Sequence, residues 1–470
     1  MKKLKQEKEI KEISDYKYGF NEGELSTLKV ERGLNEEIIR QISKIKEEPE
    51  WMLEYRLKSF KEFESKPQPN FGPDLNFLNF QDYYYYTRGT DGIVDSWDDL
   101  PDNIKKTYDR LGIPEAEKNF FAGINAQWDA TPVYENMKTS ISEQGVIFTN
   151  CDTALKEYPE LFKKYFGKLV PPGDNKYAAL NSAVWSGGTF IYVPKGVKVE
   201  MPLQAYFRIN YQESGQFERT LIIVEDDAEL HYVEGCTAPV YSKHNLHAAI
   251  VEIFVGKRSH VRYTTVQNWS DNVLNLVTKR SIVEEDGRME WIDGNIGSKI
   301  NMKYPSCILK GDRAQGDTIS IAVAKKGVYQ DAGSKMIHLG KETKSKIISK
   351  SITFQGGTAN YRGLAYIGPD AKYSKARVEC DTLILDNQSH SDTIPQNKVH
   401  NNESQIEHEA TVSKVSEEQL FYLMSRGIDE QQALELIVMG FLEPFTKELP
   451  LEYAVELNQL IKMDMEGSVG

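Results

Sequence analysis

Glu407, His408 and Glu409 stand side by side in the stretch QIEHEA, Gln405 to Ala410, just ahead of a polar helical segment. A carboxylate, an imidazole and a second carboxylate are all metal-ligand types. Neither a Cys-x-x-Cys pair nor a His-rich helix accompanies them. The four cysteines, Cys151, Cys236, Cys307 and Cys380, lie about 70 to 85 residues apart, which fits neither a disulfide framework nor a zinc ribbon. In a reducing compartment they are thiols, and the ordinary fate of such a residue is an inert place in the core. A thiolate, an imidazole and carboxylates together suit iron better than magnesium or calcium. Iron–sulfur clusters take several thiolates, with His as a substitute, so one chain offers too few ligands here. A labile site shared with another subunit would complete the set. Against this stands the plainer reading: a hydrogen-bonded core His, two solvated Glu, and in VECDTLIL an inert Cys380 alternating with Val378 and Thr382.

The chain must place these groups with what its composition allows. It has 470 residues, enough for two or three domains or one long repetitive one. Hydrophobic residues make up 40% and charged residues 27%, the balance of a soluble globular protein. A formal net charge of −13 argues against a general nucleic-acid or anionic-membrane binder. No apolar run approaches the roughly 20 residues of a membrane span. The opening MKKLKQEKEIKEI has no apolar segment of the signal-peptide kind. A cytoplasmic location is the expectation.

Three regions follow: helices and loops over 1–180, a strand-rich core over 181–414, and a helical end over 415–470. Leu34, Ile38, Ile42 and Ile45 recur at helical spacing, with Asn35 as N-cap and Pro49 breaking the pattern. The stretch from Lys66 to about Asp129 reads as loop, and its aromatic run Tyr83 to Tyr86 as a packing or partner surface. Residues 131–166 read as helical, with Thr131 as a cap and Pro132 at the first helical position. Ser416 with Gln419 marks another helix start and Gly427 its end. Asp429 caps a helix whose apolar face is Leu434, Ile437 and Val438, and a last helix follows Pro450.

The core carries a repeat. Polar turns open at Val193, Val224, Val255, Val283, Leu309, Leu339, Ile367 and His400, spaced 26 to 33 residues apart. An apolar residue falls at the sixth place after the opener in Val199, Leu230, Val261, Met289, Tyr373 and Ile406, whereas Gln315 and Ser345 break the rule. Short strands in so regular a phase predict a parallel β-helix, whose rungs bury their apolar face by stacking. A β-sandwich has no reason to repeat its turns in this way. Equal offsets then stack. Cys236, Gln267 and Asn295 form one row, with Cys380 close to the same phase several rungs away. His408 shares its offset with Met201, Tyr232, Tyr263 and Trp291, an inward register that sends Glu407 and Glu409 to the other face.

Several segments also carry a family resemblance: YKYGF at 16–20, PEWMLEYRLKSF at 49–60, GQFERTLI at 215–222, YVEGCTAP at 232–239, VQNW at 266–269, VTKR at 277–280, QIEHEATVSKVSEEQLFY at 405–422 and the C-terminal LPLEYAVELNQLI. Over nearly its whole length the chain resembles the SufB/SufD family of the SUF iron–sulfur cluster assembly machinery. The resemblance implies a right-handed parallel β-helix flanked by helical N- and C-terminal regions. It implies a scaffold rather than an enzyme, working with a SufC-type ATPase and a SufD-type paralogue or a second copy of itself. A cysteine desulfurase with its sulfur-transfer protein, and apoprotein acceptors, are the further partners. By the same resemblance Cys236 accepts persulfide sulfur. Arg208, Asn210, Gln267, Trp269 and Lys279 line a sulfur route, and Cys380 with Glu407, His408 and Glu409 holds iron and the nascent, labile cluster. The final helices contact the ATPase. Related complexes carry a reduced flavin, although this sequence shows no flavin motif, and no Walker A sequence is present.

Two other classes compete. A β-helix enzyme acting on acidic polysaccharide would want clustered Asp, Lys and Arg on an exposed rung face and usually a secretion signal; this chain lacks the signal, and its acidic charge would repel a polyuronate. A purely structural β-helix partner without its own cluster site has no use for both Cys236 and Cys380.

Overall fold

The computed structural model describes residues 28–88, 92–110, 121–209, 213–238, 244–449 and several positions between 454 and 465. The chain is mainly β: a parallel β-solenoid of about 7 turns with helices toward both ends. Asn210, most of the helix after Pro450, and the YKYGF segment fall outside the described residues.

One wall of the solenoid is a ten-stranded sheet. Its strands run from Gly123–Trp128 through Leu203–Arg208, Glu229–Thr237, His260–Trp269, Arg288–Gly297, Gln315–Ala324, Lys344–Thr353 and Lys375–Ile384 to Gln405–Lys414, each parallel to the next. The other wall is a thirteen-stranded sheet built largely of shorter parallel strands. Between them lies an apolar interior that includes Leu230, Val261, Met289, Val255, Val283 and Ile367.

The repeat turns are the corners. Asp227, Arg258, Asp286, Arg313 and Glu342 all adopt φ between 56° and 61°. Asp tolerates this left-handed conformation better than most residues, and the corners stack on one another. Arg258 donates to both carboxylate oxygens of Asp227 at 2.6 and 2.8 Å, and Arg313 to both of Asp286 at 2.7 Å.

The sixth-place row is real but not everywhere as read. Leu230, Val261 and Met289 are in register and continue through Gly316, Ser345 and Ala376 to Ile406. Tyr373 is not in the row; it sits exposed at a corner with φ 61°. The turn from Ile367 to Lys375 spans eight positions where that from Val224 to Glu229 spans five (375 − 367 against 229 − 224). The three extra residues push Tyr373 out of phase.

The helix expected from Thr131 is instead the strand Thr131–Met137, antiparallel to Gly123–Trp128. Pro132 sits where the register shifts between Ala126 and Gln127, an irregularity at the sheet's edge where a missing N–H is tolerated. The stretch read as loop also holds the strand Gly123–Trp128 and the helix Asp102–Arg110. Tyr83, Tyr85 and Tyr86 are buried, so this run packs.

The helices fold as their caps direct. Asn35 accepts from the Ile38 N–H at 3.0 Å, Ser416 from Gln419 at 3.3 Å and Asp429 from Gln432 at 2.9 Å. Glu36–Ile45 and Glu50–Ser65 pack against Lys176–Val184 and the solenoid. Glu430–Thr446 lays Leu434, Val438, Leu442 and Phe445 on the outer side of the ten-stranded wall, over Val266, Ile292 and Ile321. No helix among the described residues is long and apolar enough to cross a membrane.

Two buried ion clusters fasten the N-terminal helices. Glu252 pairs with Arg219 at 2.9 Å and accepts from the N–H groups of Gly167, Leu169 and Val170 at 2.8 to 2.9 Å. Glu252→Ala strands the Arg219 charge in the interior and frees three amides, and should cost about 3–5 kcal/mol, read as a lower denaturant midpoint. Glu48 is the second. Burial opposes its ionisation, but Arg56 and Lys46 prevail and hold its carboxyl down at about 2. A depressed carboxylate stabilises the fold above its unfolded value of 4.5 and loses that contribution as pH falls toward about 2. Glu48→Gln should therefore flatten the fall in stability across that window in an acid titration followed by circular dichroism.

Candidate functional site

The parallel register turns the inward positions of the ten-stranded wall into rows along the solenoid axis. One row runs Tyr232, Tyr263, Trp291, Thr318, Ile347, Val378, His408. His408 thus lies in the predicted register, and the rings of Tyr232, Tyr263 and Trp291 follow one another at 5.0 and 5.2 Å. The counterpart of Tyr232 on the rung before is Leu203, not Met201.

Cys236, Gln267 and Asn295 are in register as expected, and their row continues through Ala322 and Ser351 to Thr382. Cys380 is in the adjoining row, two residues back along the strand, with Glu234, Thr265, Asp293, Ser320 and Ser349. The long turn before Lys375 accounts for the offset. Both thiols face the same interior, and every side chain between Glu234 and Cys380 in that row is polar.

The opposite wall answers this row with charge. Lys279 donates to Thr265 Oγ1 at 2.6 Å and to Asp293 Oδ1 at 3.1 Å. Lys303 donates to the same Asp293 oxygen and to Gln267 Oε1, both at 3.1 Å. Burial would raise the Asp293 carboxyl, yet the two ammonium groups hold it down at about 2. Burial pushes the Lys303 ammonium down to about 8 against the pull of Asp293. Further along, His247 Nδ1 lies 2.5 Å from Asn275 Oδ1 and Nε2 contacts Glu218. Gln267 Nε2, Asp293 Oδ2 and Trp269 Nε1 are buried without a hydrogen-bond partner, each at a cost of about 1–3 kcal/mol.

Of the expected route residues, Gln267, Trp269 and Lys279 share this interior with Cys236; the Trp269 ring lies 4.8 Å from that of His247. Arg208 does not join them. It pairs with Thr237, one residue out of phase with Cys236, so it lies on the outer face, donating to Thr237 Oγ1 at 3.3 Å near the Trp128 ring. Glu234, Asp293 and Lys303 were not singled out from the sequence. The signal was available for two of them: Glu234 and Asp293 each stand ten residues after a repeat opener, Val224 and Val283, as does Thr265 after Val255.

At the far end, Cys380 Sγ lies 3.4 Å from His408 Nε2, a diagonal contact between the last two strands of the wall. Asn397 Nδ2 stands 3.1 Å from His408 Nδ1, so Nδ1 accepts and the ring proton sits on Nε2, facing the sulfur. Burial pushes the Cys380 thiol up to about 11 and His408 down, so the resting pair is neutral. Glu407 and Glu409 are exposed on the opposite face of the same strand. The four candidate ligands therefore divide two and two, and no group of three His, Cys, Asp or Glu side chains placed to hold a metal occurs among the described residues. Among the described residues no further strand pairs with the outer edge of Gln405–Lys414, or with that of Thr393–Val399 on the other wall. Cys151 and Cys307 are buried, their thiols raised by burial, that of Cys307 to about 12. Cys151 hydrogen-bonds the Arg219 carbonyl at 2.8 Å.

Comparison with known proteins places the chain in a family. Residues 207–441 match the family model described as SUF system FeS cluster assembly, SufBD core domain, and residues 94–205 the SufBD protein N-terminal region. The chain is 60% identical over 463 residues to the iron–sulfur cluster assembly protein SufB of Bacillus subtilis (strain 168), covering 98% of this chain and 100% of that protein. An iron–sulfur cluster assembly SufBD family protein of Staphylococcus aureus (strain USA300) is similar at the same identity and coverage. By both family-model matches and its full-length similarity to these relatives, the chain belongs to the SufB/SufD family of the SUF iron–sulfur cluster assembly system.

Proposed function

We propose that this chain is the scaffold on which persulfide sulfur and iron are combined into a labile cluster for transfer to acceptor apoproteins. The observation that carries the reading is the placement of Cys236 and Cys380 on adjoining rows of one interior, joined by Thr265, Asp293, Ser320 and Ser349. Sulfur enters at Cys236, delivered by a cysteine desulfurase and its sulfur-transfer partner, and passes along this polar row to Cys380. Gln267 and Lys279 line the early part of the path, and Trp269 flanks its start. Arg208 acts on the proposed route from the outer face, and Asn210 is assigned to the route by the family resemblance alone.

Iron is taken as cargo by Cys380 and His408. For His408 Nε2 to serve as a ligand its proton must shift to Nδ1, and the Asn397 amide must turn its oxygen toward Nδ1. Both adjustments are local. Because Cys380 rests as a thiol, iron uptake releases its proton and tightens as pH rises. Glu407 and Glu409 contribute from the outer face, and further ligands come from a SufD-type paralogue, or a second copy of this chain, docking on the two open strand edges. Unpaired backbone edges are natural docking templates. A SufC-type ATPase is proposed for the C-terminal helices, where Phe421 is 73% exposed and Leu436 53%.

The alternative, a structural subunit without its own cluster site, is separated by one experiment. The chain is reconstituted anaerobically with its ATPase and paralogue partners and examined by Mössbauer spectroscopy. Cys380→Ala and His408→Ala should abolish the transferable cluster while the complex still assembles; an undiminished cluster signal in both would favour the structural role. Asn397→Ala, which removes the group that orients the His408 ring, should weaken iron retention on the order of 10- to 100-fold, measured by competition with a chelator.

A further inference from the structure

We propose that Glu234 is the base that takes the proton from Cys236. The inference rests on the reading of Cys236 as the persulfide acceptor. Glu234 and Cys236 are two residues apart on one strand, so both side chains enter the same interior. The Cys236 Sγ–H is directed to Glu234 Oε1 at 3.9 Å. The other carboxylate oxygen, Oε2, accepts from the Tyr263 hydroxyl, whose ring is held between those of Tyr232 and Trp291. One oxygen is thus fixed and the other is left for the thiol.

The charges around the pair favour this transfer over loss of the proton to water. Lys279 and Lys303 reach the site from the opposite wall and share one oxygen of Asp293. Lys303 also bonds Gln267, the in-register neighbour of Cys236. His247 has an oxygen at each ring nitrogen, Glu218 and Asn275; burial opposes its charge, but these two partners prevail and shift the ring toward the imidazolium. Two ammonium groups and an imidazolium therefore balance three carboxylates: Asp293, Glu218 and Glu234. Moving the Cys236 proton to Glu234 leaves this sum unchanged. Expelling it would leave an uncompensated negative charge in a buried, low-dielectric site. Burial, together with the Glu234 and Glu218 carboxylates, keeps the free thiol well above its ordinary value, so near neutral pH the thiolate, which is the nucleophile, forms only as its proton passes to a local acceptor.

The step balances. Cys236 gives its proton to Glu234, and the thiolate attacks the sulfane sulfur of the incoming persulfide. A new S–S bond forms at Cys236 as the donor's S–S bond breaks. The donor leaves as a thiolate and takes up the proton held by Glu234. One thiol and one persulfide become one persulfide and one thiol, with no external oxidant.

The test uses the full chain with inorganic polysulfide as the sulfur source, trapping by an alkylating reagent and mass spectrometry of the Cys236 peptide. Glu234→Gln keeps an acceptor for Tyr263 but cannot take a proton. Loading at about pH 7 should fall on the order of 10²-fold, recover as pH rises, and be partly restored by Glu234→Asp. A folded Glu234→Gln variant, with unchanged circular dichroism and melting, that loads at the parent rate with the parent pH profile would overturn the proposal. The infrared S–H band of Cys236, assigned by its absence in Cys236→Ser, gives an independent readout. Because the Glu234 carboxylate holds the thiol up, the band should vanish at lower pH in Glu234→Gln than in the parent, and identical titrations would show the two groups uncoupled and again overturn the proposal. If the parent takes up no sulfur at Cys236, the persulfide reading fails, and the S–H titration still decides the role of Glu234.

Discussion

In-register stacking of parallel strands is the constraint on which the rest depends. Backbone hydrogen bonds fix each rung of the ten-stranded wall against the next, so residues at equal offset form a row along the axis. Successive members of a row share one environment, so stretches of a row take a common character. Leu230 to Ile406 packs. Tyr232, Tyr263 and Trp291 form a ring stack. Glu234 to Cys380 carries polar groups through an interior that would be more stable without them. The same stacking ends in two open edges, because the last rung has no successor, and it is there that Cys380 meets His408.

Energetics set the charged interior rows apart from the packing ones. Burying Lys279, Lys303 and Asp293 together takes three charges from water, and such clusters are often less stabilising than apolar packing of the same volume. Unpartnered polar atoms on Gln267, Asp293 and Trp269 add to that cost. The Glu252–Arg219 clamp, by contrast, has its carboxylate fully engaged by the three amides and the guanidinium. It fastens the N-terminal segment to the solenoid. One buried cluster engages both oxygens of its carboxylate and is structural; the other leaves an oxygen of Asp293 without a partner, in the interior that holds Cys236.

Much of this was legible in the sequence. The repeat openers Val224, Val255 and Val283 predicted the β-helix and the Cys236–Gln267–Asn295 row, and with the opener His400 they predicted the inward register of His408. The failures share a physical cause. A turn can lengthen without changing its polar character, so the three extra residues before Lys375 displaced Tyr373 and Cys380 from the rows assigned to them. Thr131–Met137 looked like a helix start because Thr-Pro is a capping signal, and the neighbouring sheet edge overrode that local preference. Arg208 lies in a recognisable segment, but which face it takes depends on a single residue of phase. Contacts between the walls, such as Lys303 to Asp293 and Gln267, join positions whose relation no linear spacing reveals.

The central claim is that sulfur travels inside the solenoid from Cys236 to Cys380. The most direct measurement loads Cys236 with isotopically labelled sulfane sulfur and follows arrival of the label at Cys380 by mass spectrometry, comparing the parent chain with Ser320→Leu. Ser320 lies midway along the polar row, and its hydroxyl reaches that of Ser349 at 3.3 Å. The account predicts that the label accumulates at Cys236 and fails to reach Cys380 once an apolar branched side chain occupies that position in a folded protein. Arrival at Cys380 at the parent rate would contradict an interior path and move the transfer to the outside of the molecule.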